Sequence, residues 1–265
     1  MNTQKKYTVI TGTSSGIGAA VATAFAKRRK NLIIIARRKD RLWELKNDLL
    51  TLYPELDIVV KVCDLSITDN VYGLYKSLAH YQIETWINNA GSGNYGSIEN
   101  QNLQKTETML RLNMEALTIL SSLYVRDYKN VEGTQLINLS SRGGYLLVPN
   151  AVTYCATKFF VSAFTEGLAH ELRAAGAKLQ AKVLAPSATK TEFGKVANGV
   201  SEYDYDKSFA AYHTDTQMAG FLLSLYDNSQ TVGIINQDTF EFELLPPIFH
   251  YAGNSSYNQI ITAND

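Results

Sequence analysis

Cysteine is scarce: the 265 residues hold two, Cys63 and Cys155. The pair fits neither a metal-ligand spacing nor a disulfide framework, so both are expected as reduced thiols, and no metal is expected. An excess of either charge is also absent. Lys and Arg number 25, Asp and Glu number 25, and the formal net charge is zero. Such a balance gives no electrostatic footing for nucleic acid or an anionic membrane surface, and neither is expected as a partner. No apolar stretch is long enough to span a bilayer. A strand-like run begins at Tyr7, directly after Met1 to Lys6, which leaves no room for a signal peptide. A cytoplasmic location is therefore expected. Without a secretory signal, the acceptor patterns Asn138-Leu139-Ser140 and Asn254-Ser255-Ser256 carry no weight.

What is present reads as an ordinary globular protein, 45% hydrophobic and 19% charged, with a length routine for one α/β domain over residues 1–265. Short apolar runs alternate with longer helical ones. Strands are expected at Tyr7 to Ile10, Leu32 to Ala36, Ile58 to Val62, Trp86-Ile87, Leu136 to Leu139, Lys182 to Leu184 and Val232 to Ile235. Helices are expected at Ile17 to Arg28, Lys39 to Leu52, Val71 to His80, Leu103 to Tyr128, Tyr154 to Ala175 and Met218 to Tyr226. Fully apolar strands separated by helices imply a doubly wound, Rossmann-like parallel sheet with helices on both faces and ligands at the carboxyl ends of the strands. Regularity fails over Gly194 to Asp215. That stretch reads as a lid or specificity insert at about 190–217, or as a plain surface loop. Phe240, Phe242 and Leu244 alternate with Glu241 and Glu243, which suggests an edge strand or a subunit contact.

Thr11-Gly12-Thr13-Ser14-Ser15-Gly16-Ile17-Gly18 lies between the first strand and the first helix. Gly12 permits a tight turn, Gly16 lets backbone approach a pyrophosphate, and Gly18 lets helix and strand pack closely, while the helix N-terminus offers free N–H groups to phosphate. A flexible turn is the bland alternative. No Lys-Ser/Thr pair follows the glycines, so this is not an NTPase loop. The second strand ends at Ala36-Arg37-Arg38, where a carboxylate for the ribose hydroxyls of NAD is absent. Nothing there repels a 2′-phosphate. Arg37 would hold it bidentately with help from Arg38, which makes NADP(H) the expected cofactor over NAD(H); a solvated helix start is the alternative. Asp64, after the third strand, is placed either for the adenine amino group or to cap the following turn.

Tyr154 and Lys158 are four residues apart on a helix and share a face. An ammonium nearby favours phenolate, which would bring a phenol of ordinary pKa near 10 towards neutral pH. The spacing is common by chance; its context is not. Thr11 to Gly18, Asn88-Asn89-Ala90-Gly91, Asn113, Ser140-Ser141 and Tyr154-Cys155-Ala156-Thr157-Lys158, in this order, resemble the short-chain dehydrogenase/reductase superfamily from about Lys6 to Thr191.

The resemblance implies hydride transfer between a nicotinamide cofactor and a carbonyl or secondary alcohol. It makes Tyr154 the acid/base. It makes Ser141, thirteen residues earlier, the group orienting the substrate oxygen, with Ser140 the lesser candidate. Lys158 would also hold the nicotinamide ribose, and Asn113 a water of a proton relay, or else Asn113 satisfies a helix kink. Leu65, Asn89, Ala90 and Gly91 would line the adenosine side, and Pro186, Thr189 and Thr191 the nicotinamide end. Homo-oligomers through Leu103 to Tyr128 and Tyr154 to Ala175 are also implied. Two departures stand out: Pro186-Ser187 where the family has Pro-Gly, and Asn236-Gln237-Asp238 where it has Asp-Gly-Gly. Gly143, Gly144, Tyr145, Leu146, Leu147 and the Phe193 to Tyr212 insert would form a pocket for a medium-sized, partly apolar carbonyl, with Tyr203 and Tyr205 offering hydroxyls. A catalytically silent dinucleotide-binding regulator is the alternative from another class; an epimerase or dehydratase of the same fold is a third.

Overall fold

The computed structural model describes residues 5–253. Asn254-Ser255-Ser256 lies outside them. Eight strands form one sheet in the order β10-β9-β6-β5-β4-β1-β2-β3. These are β1 (Lys6–Thr11), β2 (Asn31–Ala36), β3 (Ile58–Val62), β4 (Gln82–Asn88), β5 (Gln135–Leu139), β6 (Gln180–Ala185), β9 (Val232–Ile235) and β10 (Phe242–Leu245). All pairings are parallel except β10 on β9. The alternating Phe and Glu residues thus make an antiparallel edge, the arrangement in which one strand face stays wet. A small second sheet pairs β7 (Thr189–Lys190) with β8 (His213–Thr214).

The helices are α1 (Gly16–Lys27), α2 (Lys39–Leu52), α3 (Thr68–Lys76), α4 (Leu103–Leu110), α5 (Leu117–Tyr128), α6 (Val152–Ala174), α7 (Phe193–Asn198), α8 (Tyr205–Ser208) and α9 (Asp215–Tyr226). They cover both faces, as the apolar strands require. Strand period two divides β2 between two cores: Leu32 and Ile34 pack with Val21, Phe25 and Leu222 on one side, and Ile33 and Ile35 with Trp86, Tyr124 and Leu136 on the other. Each buried aliphatic side chain contributes about 1.5–3 kcal/mol.

Sequence and structure differ at several element ends and in two longer stretches. The helix expected at Val71 to His80 begins at Thr68 and ends at Lys76. The long helix from Leu103 to Tyr128 is widened into a π segment at Arg111–Ala116, a local feature that an apolar period of 3.6 cannot register. The stretch from Gly194 to Asp215 folds into most of α7, α8 and β8, which pairs with β7 just before it. Tyr205 stacks on Phe209 and meets Tyr212 edge-on there, a cluster without helical or strand period.

Several polar groups in the interior are paired across elements. Asn138, in β5, accepts from Asn88 at 3.0 Å and donates to Thr165 at 2.9 Å. Lys182, 1% exposed, donates to the carbonyls of Leu225, Tyr226 and Asn228 at the end of α9. The Leu225 and Tyr226 carbonyls also accept from Asn228 N and Gln135 Nε2, so the ammonium adds a further donor where α9 runs out of intrahelical ones. No helix among the described residues is long and apolar enough to cross a membrane.

Candidate active site

The carboxyl ends of β1, β2, β4, β5 and β6 bring the candidate residues to one edge of the sheet. Gly12 and Gly16 take φ of +74° and +55°, which L side chains rarely adopt. A Cβ on Gly18 would collide with the Gly12 carbonyl oxygen and lie 2.5 Å from Asn89 Nδ2. Asn89 itself donates to the carbonyls of Thr11 at 2.8 Å and Gly12 at 3.2 Å. The Thr11 hydroxyl accepts from the amides of Asn89 and Ala90. The Asn-Asn-Ala-Gly segment is thereby bolted to the glycine loop by a threonine that sequence reasoning passed over. Ile17 packs against the core. Ser15, at the N-cap of α1, makes no side-chain cap and no acid lies in the first turn, so the first amides of that helix have neither intrahelical nor capping partner.

Of the two arginines, Arg38 is the one on the loop. It donates to Ser14 Oγ at 3.1 Å, to Ser15 Oγ at 2.7 Å and to Glu192 at 2.7 Å. Arg37 turns to Asp64, 3.7 Å away. Asp64 accepts from the amide and hydroxyl of Ser66, the turn-capping alternative. Burial tends to raise the Asp64 carboxyl, but the Ser66 bonds and Arg37 hold it below its ordinary value. The Leu65 side chain is buried among Ile35, Val71 and Leu74, so it does not face a ligand. A cavity of about 480 Å³ opens beside Arg37, Lys61, Cys63, Asp64 and Asn70, at the β3 side of the sheet.

At the other end lie Ser141, Tyr154 and Lys158. Helix α6 carries Tyr154 and Lys158 on its buried face, 7% and 6% exposed. Lys158 Nζ lies 5.8 Å from the Tyr154 ring centre and donates to the Leu139 carbonyl at 3.0 Å. The expected acidification of the phenol by that ammonium does not dominate. Burial pushes Tyr154 up to about 12, with a Ser141 hydrogen bond working the other way, and pushes Lys158 down to about 8. Burial disfavours charge on both groups, and that outweighs one cation at this distance. Ser140 faces away, donating to the Lys158 carbonyl at 2.9 Å and bonding Ser162 at 2.7 Å. Asn113, carried inward by the π segment, accepts from Ser92 N at 2.9 Å and donates to Ser92 O at 2.9 Å and Thr157 at 3.0 Å. These bonds tie the helix to the Gly91–Ser92 segment and to α6, and none of them goes to a backbone group of the helix's own irregular turn.

Two pocket expectations are corrected. A Cβ on Gly144 would meet the Lys158 carbonyl at 2.6 Å, so Gly144 faces α6 and not a pocket. The Tyr205 hydroxyl is consumed, donating to the Thr191 carbonyl at 3.2 Å and accepting from Gly194 N at 3.1 Å. The wall of Tyr154 comes from Tyr95 and Phe193, whose rings lie 5.5 and 5.6 Å away. Nothing in the sequence pointed to Tyr95. Pro186 accepts from the amide of Arg142 at 2.7 Å, Thr189 donates to the Ser187 carbonyl at 2.9 Å, and Thr191 lies against Gly16.

The residues present fit a nicotinamide dinucleotide. Positive-φ glycines and uncapped amides await phosphate. Gly91 leaves room beside Lys158 Nζ and Asn113 Oδ1, which a Cβ there would approach to 3.5 and 3.2 Å. Among the described residues no cluster of His, Cys, Asp and Glu could hold a metal.

Known proteins agree with this layout. The short chain dehydrogenase family profile matches residues 6–199. Dehydrogenase/reductase SDR family member 11 of Homo sapiens is 31% identical over 78% of this chain and 81% of its own. A short-chain dehydrogenase from Sphingobium yanoikuyae, solved in complex with NADPH, superposes with a TM-score of 0.77 at 28% identity over 89% of each chain. The bulky-bulky ketone specific alcohol dehydrogenase from Comamonas testosteroni does so at 0.73 and 26%, over 89% of this chain and 88% of its own. The chain belongs to the short-chain dehydrogenase/reductase family, oxidoreductases that act on CH–OH and C=O groups with a nicotinamide dinucleotide.

Proposed function

We propose that this chain transfers hydride reversibly between NADP(H), in preference to NAD(H), and a carbonyl or secondary alcohol. The observation that carries the reading is the meeting of Ser141, Tyr154 and Lys158 at the strand edge that also bears the glycine loop. The preference rests on Ala36 in place of an acid and on the Arg38 guanidinium beside Ser14, with Arg37 next to it at the end of β2.

The cofactor, when bound, supplies or accepts the hydride. Negative charge growing on the substrate oxygen is met by the Ser141 and Tyr154 hydroxyls, and Tyr154 gives up its proton there. A phenol pushed up to about 12 by burial is held in the donor form at neutral pH, which suits carbonyl reduction. Lys158 holds the ribose and restores positive charge beside the phenolate. Asn113 fixes Gly91–Ser92 against Thr157, and a water in a relay would use the remaining lone pair of its Oδ1. Tyr95, Phe193 and Met109 around Tyr154 favour a partly apolar substrate. Gly12, Ser14, Ser15, Gly16, Ile17 and Gly18 would cradle the pyrophosphate. Asn89, Ala90, Gly91 and the backbone at Leu65 would line the adenosine side, and Pro186, Thr189 and Thr191 the nicotinamide end.

We also read the protein as a cytoplasmic homo-oligomer. Phe249 stacks on Tyr145 and packs on Phe159, and Tyr251 stacks on His170, so a subunit contact through α6 would include this tail. Light scattering tests the assembly. The activity is tested by following NADPH and NADH absorbance with a carbonyl panel. No turnover of any carbonyl despite tight NADPH binding, or a clear preference for NADH, overturns the corresponding part.

A further inference from the structure

Arg38 and Glu192 lie 154 residues apart and meet at 2.7 Å across the glycine loop. Arg38 leaves the end of β2 as the N-cap of α2, and Glu192 is the N-cap of α7. The guanidinium uses four of its five N–H donors: Nε on Ser14 Oγ, Nη2 on Ser15 Oγ and the Ser14 carbonyl, Nη1 on the carboxylate. Glu192 also shares a hydrogen bond with Ser15, and Arg38 holds its carboxyl below the ordinary range. Thr191, next to it, lies against Gly16, where a Cβ would meet its methyl at 3.0 Å. A carboxylate thus satisfies the cation and the serine hydroxyl that a phosphate would otherwise use, beside the uncapped start of α1.

We propose that Glu192 is an internal competitor for the 2′-phosphate of the cofactor, a carboxylate that holds Arg38 over the glycine loop until that phosphate displaces it. This rests on the NADP reading above. Arg37 cannot relieve the competition without leaving Asp64, its own partner at 3.7 Å. The pair is half-exposed, with side chains 46% and 34% accessible, so its strength is that of a surface bridge. Losing the competitor should tighten a 2′-phosphate ligand about two- to fivefold. A ligand without that phosphate gains less, since freed Arg38 has nothing to grip.

The test is calorimetric titration of the full chain with 2′,5′-ADP, NADPH and NADH. Glu192→Gln is expected to tighten 2′,5′-ADP and NADPH about two- to fivefold and NADH by less, with Glu192→Ala acting in the same direction. In an Arg38→Gln background the gain should vanish. Unchanged or weaker 2′,5′-ADP binding in both Glu192 variants overturns the proposal. An equal gain with and without Arg38 also overturns it, since that is a general field effect. Failure of the NADP reading looks different: wild type then binds NADH more tightly than NADPH, and Arg38→Gln leaves both unchanged.

Discussion

Tyr154→Phe removes one oxygen from the site and little else. The ring is buried against Met109, Tyr95 and Phe193, and phenylalanine keeps those contacts. The hydrogen bond lost is the one with Ser141, which at about 0.5–1.5 kcal/mol leaves the fold intact. A general acid lost from a hydride transfer costs about 10²- to 10⁴-fold in rate, or about 3–5 kcal/mol of barrier. The structure favours the upper part of that range. Burial keeps the phenol protonated, and the Ser141 hydroxyl, which shares a hydrogen bond with it, is itself held by the Gly143 amide at 3.0 Å. The assay is single-turnover oxidation of NADPH by an excess of any carbonyl the wild type reduces, run beside a fluorescence titration of NADPH and a thermal melt. Unchanged NADPH affinity and melting with a collapsed rate is the expected outcome. A rate within tenfold of wild type under saturating conditions refutes Tyr154 as the proton donor.

Further outcomes concern pH, the loop and the interior. Lys158 is an ammonium below about 8 and neutral above it, while Tyr154 keeps its proton until about 12. The reductive kcat/KM should therefore fall as pH rises through about 8, and Lys158→Met should abolish that limb; a wild-type rate rising through the same range contradicts this. Gly18→Ala drives a methyl into the Gly12 carbonyl and towards Asn89 Nδ2, which cannot move independently, and should cost about 1–3 kcal/mol in urea unfolding together with NADPH affinity. Lys182→Met removes the side-chain donor of the Asn228 carbonyl and one of the donors to the Leu225 and Tyr226 carbonyls, and should cost on the order of 1–3 kcal/mol while the kcat of the remaining folded enzyme is unchanged.

Much of the site was legible because it is local. Thr11 to Gly18 is one turn whose glycines are fixed by φ and close approach, and Tyr154 and Lys158 share a helical face whatever the rest of the chain does. The Leu32 to Ala36 run announced a strand buried on both faces before any partner was known. The choice of Ser141 over Ser140 lay in a spacing, and in space the two hydroxyls point to different neighbours.

What required the tertiary structure were meetings between distant segments and balances of opposing effects. Glu192 reaches Arg38, Thr11 clamps Asn89 and Ala90, Tyr95 walls Tyr154, and Lys182 caps α9; no period or spacing encodes these pairs. The charge state of the centre belongs here too. Sequence places a cation one helical turn from a phenol, but only packing decides that burial outweighs it. By itself the chain determines which groups stand at the strand ends, because strand and helix periods are properties of neighbours. Which of those groups hold one another, and with what protonation, follows from desolvation and contact, which exist only once the layers have closed.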